Sequence, residues 1–320
     1  MIHVPVLLDE VVQALRPRAT GRYLDATVGG GGHSEAILRA STPSGRLLAT
    51  DADERAVQTA AERLQPFGPR VVLRRCWLDQ AAHVAHTEGF VPLDGIVVDL
   101  GLSSNQLDDA ERGFSFMRPG PLDMRFDRTQ KLTAAGLINE CDLEELVQIL
   151  RDYGEVTRAR RIAEAIWSAR PLHTTDQLRT VVTHAAGARY STGRRPIHPA
   201  TQVFQALRIA VNDELRRLET ALPRLIETLA VGGRLAVITF HSLEDRIVKR
   251  AFRLAAGQDG GADADPRNLL AGRQEMEAVQ TAIRARLVNK KPILPTDEEI
   301  RQNPRARSAK LRILERIDVA

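Results

Sequence analysis

A chain of 320 residues is roughly twice the usual domain size, so two compact units are expected. Apolar residues make up 43% and charged ones 27%, the composition of a globular protein rather than a disordered or fibrous one. The net charge of +4 is too small to imply nucleic-acid binding unless it is clustered, and two cysteines, Cys76 and Cys141, exclude a disulfide framework or a Cys-rich zinc site.

At the N-terminus a short apolar run is followed at once by Asp9 and Glu10 and has no basic segment before it, which is not the pattern of a signal peptide. No stretch approaches the ~20 apolar residues that cross a bilayer, so a soluble, cytoplasmic protein without a membrane partner is expected. Four short apolar runs then follow at 22–27, 46–50, 71–74 and 95–100, each bounded by Gly, Asp or Ser and each read as a buried strand. The segments between them hold helices, such as 53–64 with Ala56, Val57, Ala60 and Leu64 on one face. Strand alternating with helix, with the strands continuously apolar, predicts an α/β fold with a parallel sheet covered on both sides.

The rhythm breaks after Leu100, because 133 residues separate it from the next strand candidate at 234–240, far more than a crossover requires. Most of that gap reads as helix. A helix opens at Asp142 and carries Leu143, Leu146, Val147 and Leu150; a second spans 158–170 with Ile162, Ala163, Ile166 and Trp167; and Thr174 to Gln177 is a capping-box signature. An all-helical domain at 107–205, inserted into a discontinuous domain of 1–106 and 206–320, is therefore expected. The residues 222–229 and the pair Gly232-Gly233 read as the helix and turn that lead into the fifth strand. Ser242 is expected to cap the next helix, 256–266 to form a loop, and 286–290 and 310–316 to form an antiparallel pair at the sheet edge.

The segment Thr27-Val-Gly-Gly-Gly-Gly-His-Ser34 carries most of the chemistry. Four glycines between a strand ending in Asp25 and a helix starting near Ser34 let backbone approach a ligand with no Cβ in the way. Asp51 closes the next strand twenty residues after Gly31, where doubly wound folds place a carboxylate on ribose hydroxyls. A nucleoside ligand follows. A dinucleotide would favour a third small glycine where Ser34 stands, and its pyrophosphate would disfavour Asp25. A ligand with a cationic amino group and no phosphates, such as S-adenosyl-L-methionine, suits both residues better.

Strand four ends at Asp99, at the edge where open parallel sheets bind ligands. Methyl transfer rests chiefly on positioning, but an amino acceptor must shed a proton, and Asp99 is the candidate for that catalytic role; a hydrogen bond to the cofactor is the alternative. His33 reads either as a general base or as a residue that orients the cofactor. Phe114, Phe116, Met117, Arg118 and Arg125 combine rings and cations in a Gly/Pro-rich loop, which suits either stacking on a splayed RNA base or a loop core with a solvated rim. Two stretches free of acids, 189–208 with Arg189, Arg194, Arg195, His198 and Arg208, and 279–296 with Arg284, Arg286, Lys290 and Lys291, are candidates for an RNA path. His241, Ser242 and Asp245 are too close together on one helix start to form a catalytic triad.

In these motifs the chain resembles the bacterial 16S rRNA (cytosine-N4)-methyltransferases of the MraW/RsmH group. The resemblance runs nearly end to end, through His3-Val-Pro-Val-Leu-Leu-Asp-Glu10, the glycine segment, Asp99-Leu-Gly-Leu-Ser-Ser-Asn-Gln106, Glu111-Arg-Gly-Phe-Ser-Phe-Met-Arg118, Gly120-Pro-Leu-Asp-Met-Arg125, His198-Pro-Ala-Thr201, Phe204-Gln-Ala-Leu-Arg208, Phe240-His-Ser-Leu-Glu-Asp-Arg246 and Asn303-Pro-Arg-Ala-Arg-Ser308. It implies a class I, Rossmann-like methyltransferase sheet with an inserted helical substrate domain. It also implies methylation of the exocyclic N4 of a decoding-centre cytidine of 16S rRNA in the small ribosomal subunit. By motif, Gly31, Gly32 and His33 would contact the methyl donor, Asp51 its ribose, Trp77 its adenine, and Asp99 and Gln106 its far side. A methyltransferase of the same fold acting on DNA or protein, and an RNA-binding assembly factor, are the alternatives. No metal is implied, and the oligomeric state stays open, a homodimer included.

Overall fold

Short apolar strands, buried nearly continuously along their length, build a seven-stranded sheet among the described residues. In the computed structural model, which describes residues 5–187, 198–258 and 284–318, the strands are β1 (Arg22–Asp25), β2 (Arg46–Asp51), β3 (Val71–Arg75), β4 (Leu93–Asp99), β5 (Leu229–Thr239), β6 (Arg284–Leu287) and β7 (Lys310–Ile317). Their order is β3-β2-β1-β4-β5-β7-β6. The first five run parallel, and β7 enters antiparallel beside β5 with β6 antiparallel outside it. The α/β fold class expected from the sequence is the one found.

Successive side chains point to opposite faces, so the sheet has two cores. Tyr23, Leu47, Val97, Ala236 and Ile238 pack with helices α1 (Leu8–Leu15), α2 (Gly32–Ala40) and α3 (Glu54–Leu64). Leu24, Leu48, Ile96, Val98, Leu235 and Val237 pack on the other side, where α4 (Ala81–Thr87) and later helices lie. Each such fully buried aliphatic side chain contributes about 1.5–3 kcal/mol. Buried Arg234 fastens distant segments, donating to Glu315 Oε2 at 2.9 Å and to the Ala14 carbonyl at 2.7 Å.

The chain divides into two compact units, Met1–Gly101 with Leu215–Ala320, and Leu102–Glu214. The second is helical: α5 (Ser104–Asp108), α6 (Ala134–Glu140), α7 (Leu143–Asp152), α8 (Ala159–Ser168), α9 (Thr175–Ala186) and α10 (Pro199–Asn212). Asp142 and Thr174 cap α7 and α9 as their sequence pattern predicts. The limits differ from 107 and 205 for physical reasons. Leu102 and Leu107 pack on this unit's own core, and α10 runs unbroken past 205, burying Ala206, Leu207, Ile209 and Val211. A loop of about 25 residues between α5 and α6 is threaded onto buried polar groups. Arg112 donates to the carbonyls of Arg125 and Phe126 at 2.9 and 3.2 Å, while the Asn212 amide donates to the Met124 carbonyl and accepts from the Phe126 N–H.

Two elements of the sheet unit depart from expectation. Helix α11 (Glu214–Glu227) is followed directly by β5, which begins at Leu229, before the paired glycines rather than after them. Gly232 and Gly233 form a bulge inside the strand: Leu93 pairs with Leu229 but Gly95 already pairs with Arg234. Gly232 has φ +80°, and a Cβ on Gly233 would stand 2.6 Å from the Leu93 carbonyl oxygen. Helix α12 (Ser242–Ala255) is capped by His241, not Ser242, with the buried Glu244 carboxylate accepting the Phe240 and His241 N–H groups. Asp245 then ties α12 to β7 through Lys310 and Arg312. The loop expected at 256–266 lies outside the described residues beyond Gln258.

Candidate active site

The strand order reverses between β1 and β4, and their C-terminal ends bring Asp25 and Asp99 to one edge, with Asp51 at the end of β2 beside them. Between β1 and α2 the chain turns through Gly29 (φ +49°) and Gly31 (φ +75°), both left-handed and both free of steric cost only as glycine. Gly32 is packed against Pro5, whose Cγ would stand 2.2 Å from an added Cβ. Gly30 is different, because a Cβ there would meet nothing within 4 Å. Among the described residues the bend therefore leaves a backbone cradle with open space beside Gly30, as a closely approaching ligand requires.

Asp51 borders this cradle. Its Oδ2 accepts from the Gly29 N–H at 3.0 Å and its Oδ1 from the Asp53 N–H at 2.9 Å, so the carboxylate is fixed on the turn it serves. Burial pushes it up to about 6, against those two hydrogen bonds. Each oxygen keeps a further lone pair, which suits a donor such as a ribose hydroxyl. The residues present thus fit a nucleoside ligand.

Asp25 corrects its expected role. It is 2% exposed, its Oδ2 accepts from Ser34 Oγ at 2.7 Å and its Oδ1 from the Thr27 N–H at 3.2 Å, so it locks β1 to the first turn of α2 instead of meeting a ligand's amino group. Burial raises it above the usual carboxylate range.

Asp99 remains partly open. Its N–H donates to Thr27 Oγ1 and its Oδ1 accepts from the Gly101 N–H at 3.0 Å. A side chain at Gly101 would strike the Phe240 ring at 2.7 Å, so glycine leaves room for that ring. The His33 ring is buried, with Nε2 3.0 Å from the Val6 carbonyl and Nδ1 3.8 Å from Asp99 Oδ2.

Trp77 lies two residues past the end of β3, and the Arg217 guanidinium lies 4.1 Å over its ring while donating to both oxygens of Asp79 at 2.8 and 3.0 Å. Sequence reasoning missed Arg217, which carries no signal of its own 140 positions downstream. It also missed Thr27 and Ser34 as partners, although both sit inside the glycine motif. Gln106 belongs to the helical unit, where its amide oxygen accepts from the Ser103 N–H at 3.0 Å in a capping box.

Within the helical unit the expected RNA-facing residues separate. Phe114 is a core residue, stacked on Phe126 at 5.2 Å and covered by Arg112, which fits the loop-core alternative and not the stacking on a base. Arg125 is likewise turned inward, forked onto Asp123 at 2.8 and 2.7 Å and bonded to the carbonyls of Arg128 and Gln130. Phe116 stacks on His198 at 4.9 Å and meets Phe204 edge-on, and His198 caps α10 through Nδ1. Met117 and Arg118 are exposed. Arg208 is paired with Glu214. Arg189, Arg194 and Arg195 lie outside the described residues, as does the first part of the 279–296 stretch. Among the described residues no cluster of His, Cys, Asp and Glu could hold a metal, and no helix is long and apolar enough to cross a membrane.

Comparison with known proteins gives this geometry a lineage. A family model described as the MraW methylase family matches residues 1–317. The ribosomal RNA small subunit methyltransferase H of Dehalococcoides mccartyi is 48% identical over 315 residues, covering 98% of this chain and 86% of the relative. That of Symbiobacterium thermophilum is 47% identical over 313 residues, 97% of this chain and 95% of the relative. Among solved structures, an rRNA methylase from Streptococcus thermophilus aligns over 99% of both chains with a TM-score of 0.42 at 13% identity. Matched by its family model along nearly its whole length and by relatives close to half identical, the chain belongs to the MraW methylase family and is a methyltransferase.

Proposed function

We propose that this protein transfers the methyl group of S-adenosyl-L-methionine to the exocyclic N4 of a P-site cytidine in the decoding centre of 16S rRNA, working in the cytoplasm on the small ribosomal subunit. The observation that carries the reading is the row of strand-end carboxylates beside an open glycine cradle, in a chain whose relatives are named as small-subunit rRNA methyltransferases. When bound, the sulfonium nucleoside supplies an electrophilic methyl group.

The chain's own residues do the rest. Gly30 and Gly31 let the backbone close on the donor, Asp51 accepts from its ribose hydroxyls, and Trp77, stiffened by Arg217, walls its adenine. Asp99 stands at the edge where the acceptor amine arrives. Little acid–base work is needed, and holding the N4 lone pair in line with the methyl carbon in a dry site accounts for most of the rate. The helical unit recognises the RNA, with the exposed Met117 and Arg118 among its contacts and with Arg194, Arg195 and His198 as further contacts. Splaying the cytidine from its stack costs roughly a few kcal/mol, which contacts to the subunit offset.

Incubation with labelled methyl donor and unmodified small subunits tests the assignment, with the product mapped by mass. Label on a decoding-centre cytidine is expected. Absence of label on subunits and on naked rRNA alike removes the proposal, and label on DNA or protein instead would reassign the substrate.

A further inference from the structure

We propose that His33 is a positioning residue that takes, through Asp99, the proton released by the acceptor amine. This rests on the methyl-transfer reading above and adds the path that the proton follows. His33 lies in the first turn of α2, its ring 7% exposed, with Nε2 3.0 Å from the carbonyl oxygen of Val6. A carbonyl only accepts, so Nε2 carries a hydrogen. In the neutral ring Nδ1 is then left with its lone pair, and that nitrogen stands 3.8 Å from Asp99 Oδ2. The other oxygen of Asp99 is held by the Gly101 N–H, which fixes which one faces the ring. Two acceptors thus confront each other across a gap that one proton closes.

The order of the groups gives the pair a direction. Asp99 is the outer member, its side chain 22% exposed at the strand edge, and His33 is the inner one. Among the described residues the titratable groups facing the ring are Asp99 from β4 and the buried Asp25 from β1, while the N-terminal segment offers the Val6 carbonyl. The separation exceeds hydrogen-bond length, as acid–base contacts commonly do before the reacting complex forms.

The step balances. The cytidine N4 lone pair forms the new N–C bond as the donor's C–S bond breaks toward sulfur. The N–H electron pair returns to N4, and the proton passes to Asp99 Oδ2 and on to His33 Nδ1. Asp99 is again a carboxylate, and the ring returns its proton to water by the same route after product leaves.

Nitrogen-15 NMR of histidine-labelled full-length protein at pH 8 reads the tautomer directly, with His33→Gln supplying the assignment. Protonated Nε2 and bare Nδ1 are expected; the opposite tautomer overturns the proposal. Kinetics supply the second arm. In His33→Gln the amide can still donate to the Val6 carbonyl but has no basic nitrogen. Its kcat on unmodified small subunits is expected to fall about a hundredfold, with both KM values within about twofold, and its pH profile to lose the low-pH limb. An unchanged kcat, or donor affinity by calorimetry falling in parallel with kcat, would show that the ring only holds the bend. Wild-type protein that binds donor but labels no subunit overturns the substrate assignment and this role with it. An active wild type beside an equally active variant overturns this role alone.

Discussion

At the C-terminal edge of the parallel strands, Asp51 and Asp99 fix their oxygens on backbone N–H groups and still stay partly open. In the loop between α5 and α6 the recognisable residues do the reverse: Arg112, Phe114 and Arg125 turn inward onto carbonyls, a ring and a carboxylate, leaving Met117 and Arg118 outside. Both segments are dense in residues that look functional. The difference is what bears the weight of each. The sheet edge is held by backbone hydrogen bonds, so its side chains are released for ligands, whereas a long loop without strands must recruit its own side chains to satisfy its backbone.

The largest test of this contrast is Asp99→Ala. Methyl incorporation is expected to fall by two or more orders of magnitude while calorimetry still detects the donor, and a parallel loss of both would make Asp99 a structural residue like those of the loop. Arg112→Met probes the other side. It strands two partly buried carbonyls and removes a buried side chain, and denaturation should show the protein destabilised by about 3 kcal/mol; a neutral result would mean the loop holds itself by other means. Arg118→Ala should lower affinity for small-subunit RNA several-fold and reduce the salt slope by about one, with an unchanged denaturation midpoint, whereas Arg125→Ala should move the midpoint and spare the slope.

The smallest effect concerns pH. Asp51 is raised by burial to about 6, so the folded protein binds a proton more tightly there than the unfolded chain does. Its contribution to stability is full below the ordinary carboxylate range and is lost as pH climbs through about 6. Hydroxyls that donate to the ionised form give the opposite trend for the ligand. Donor affinity by calorimetry should therefore rise as pH passes through that range, and Asp51→Asn should flatten both dependences.

Much of this was legible in the order of residues. The parallel strands, Asp51 and Asp99 follow from local apolar runs ending in acids, and the capped helices from three-residue signatures at Asp142 and Thr174. What escaped depends on contacts between distant positions. Asp25 was expected at a ligand because the Ser34 hydroxyl that seals it reaches it only through the bend. The Gly232-Gly233 pair reads as a turn until β4 is laid beside it and the bulge becomes visible. The two parts of the Trp77–Arg217 stack come from opposite sides of the insertion. Phe114 and Arg125 carry the residue types of an RNA contact, and only packing distinguishes a face from a core.

The splice between Gly101 and Leu215 also governs how the molecule comes into being. As the chain leaves the ribosome, β4 emerges with one flank unpaired, and its neighbour β5 follows only after the whole helical unit has been made. Helical units rich in local contacts fold fast, while pairing across so long a loop is slow. The guest is therefore complete before its host, and until β5 arrives the nascent protein carries an open hydrophobic strand edge, the condition under which neighbouring chains aggregate.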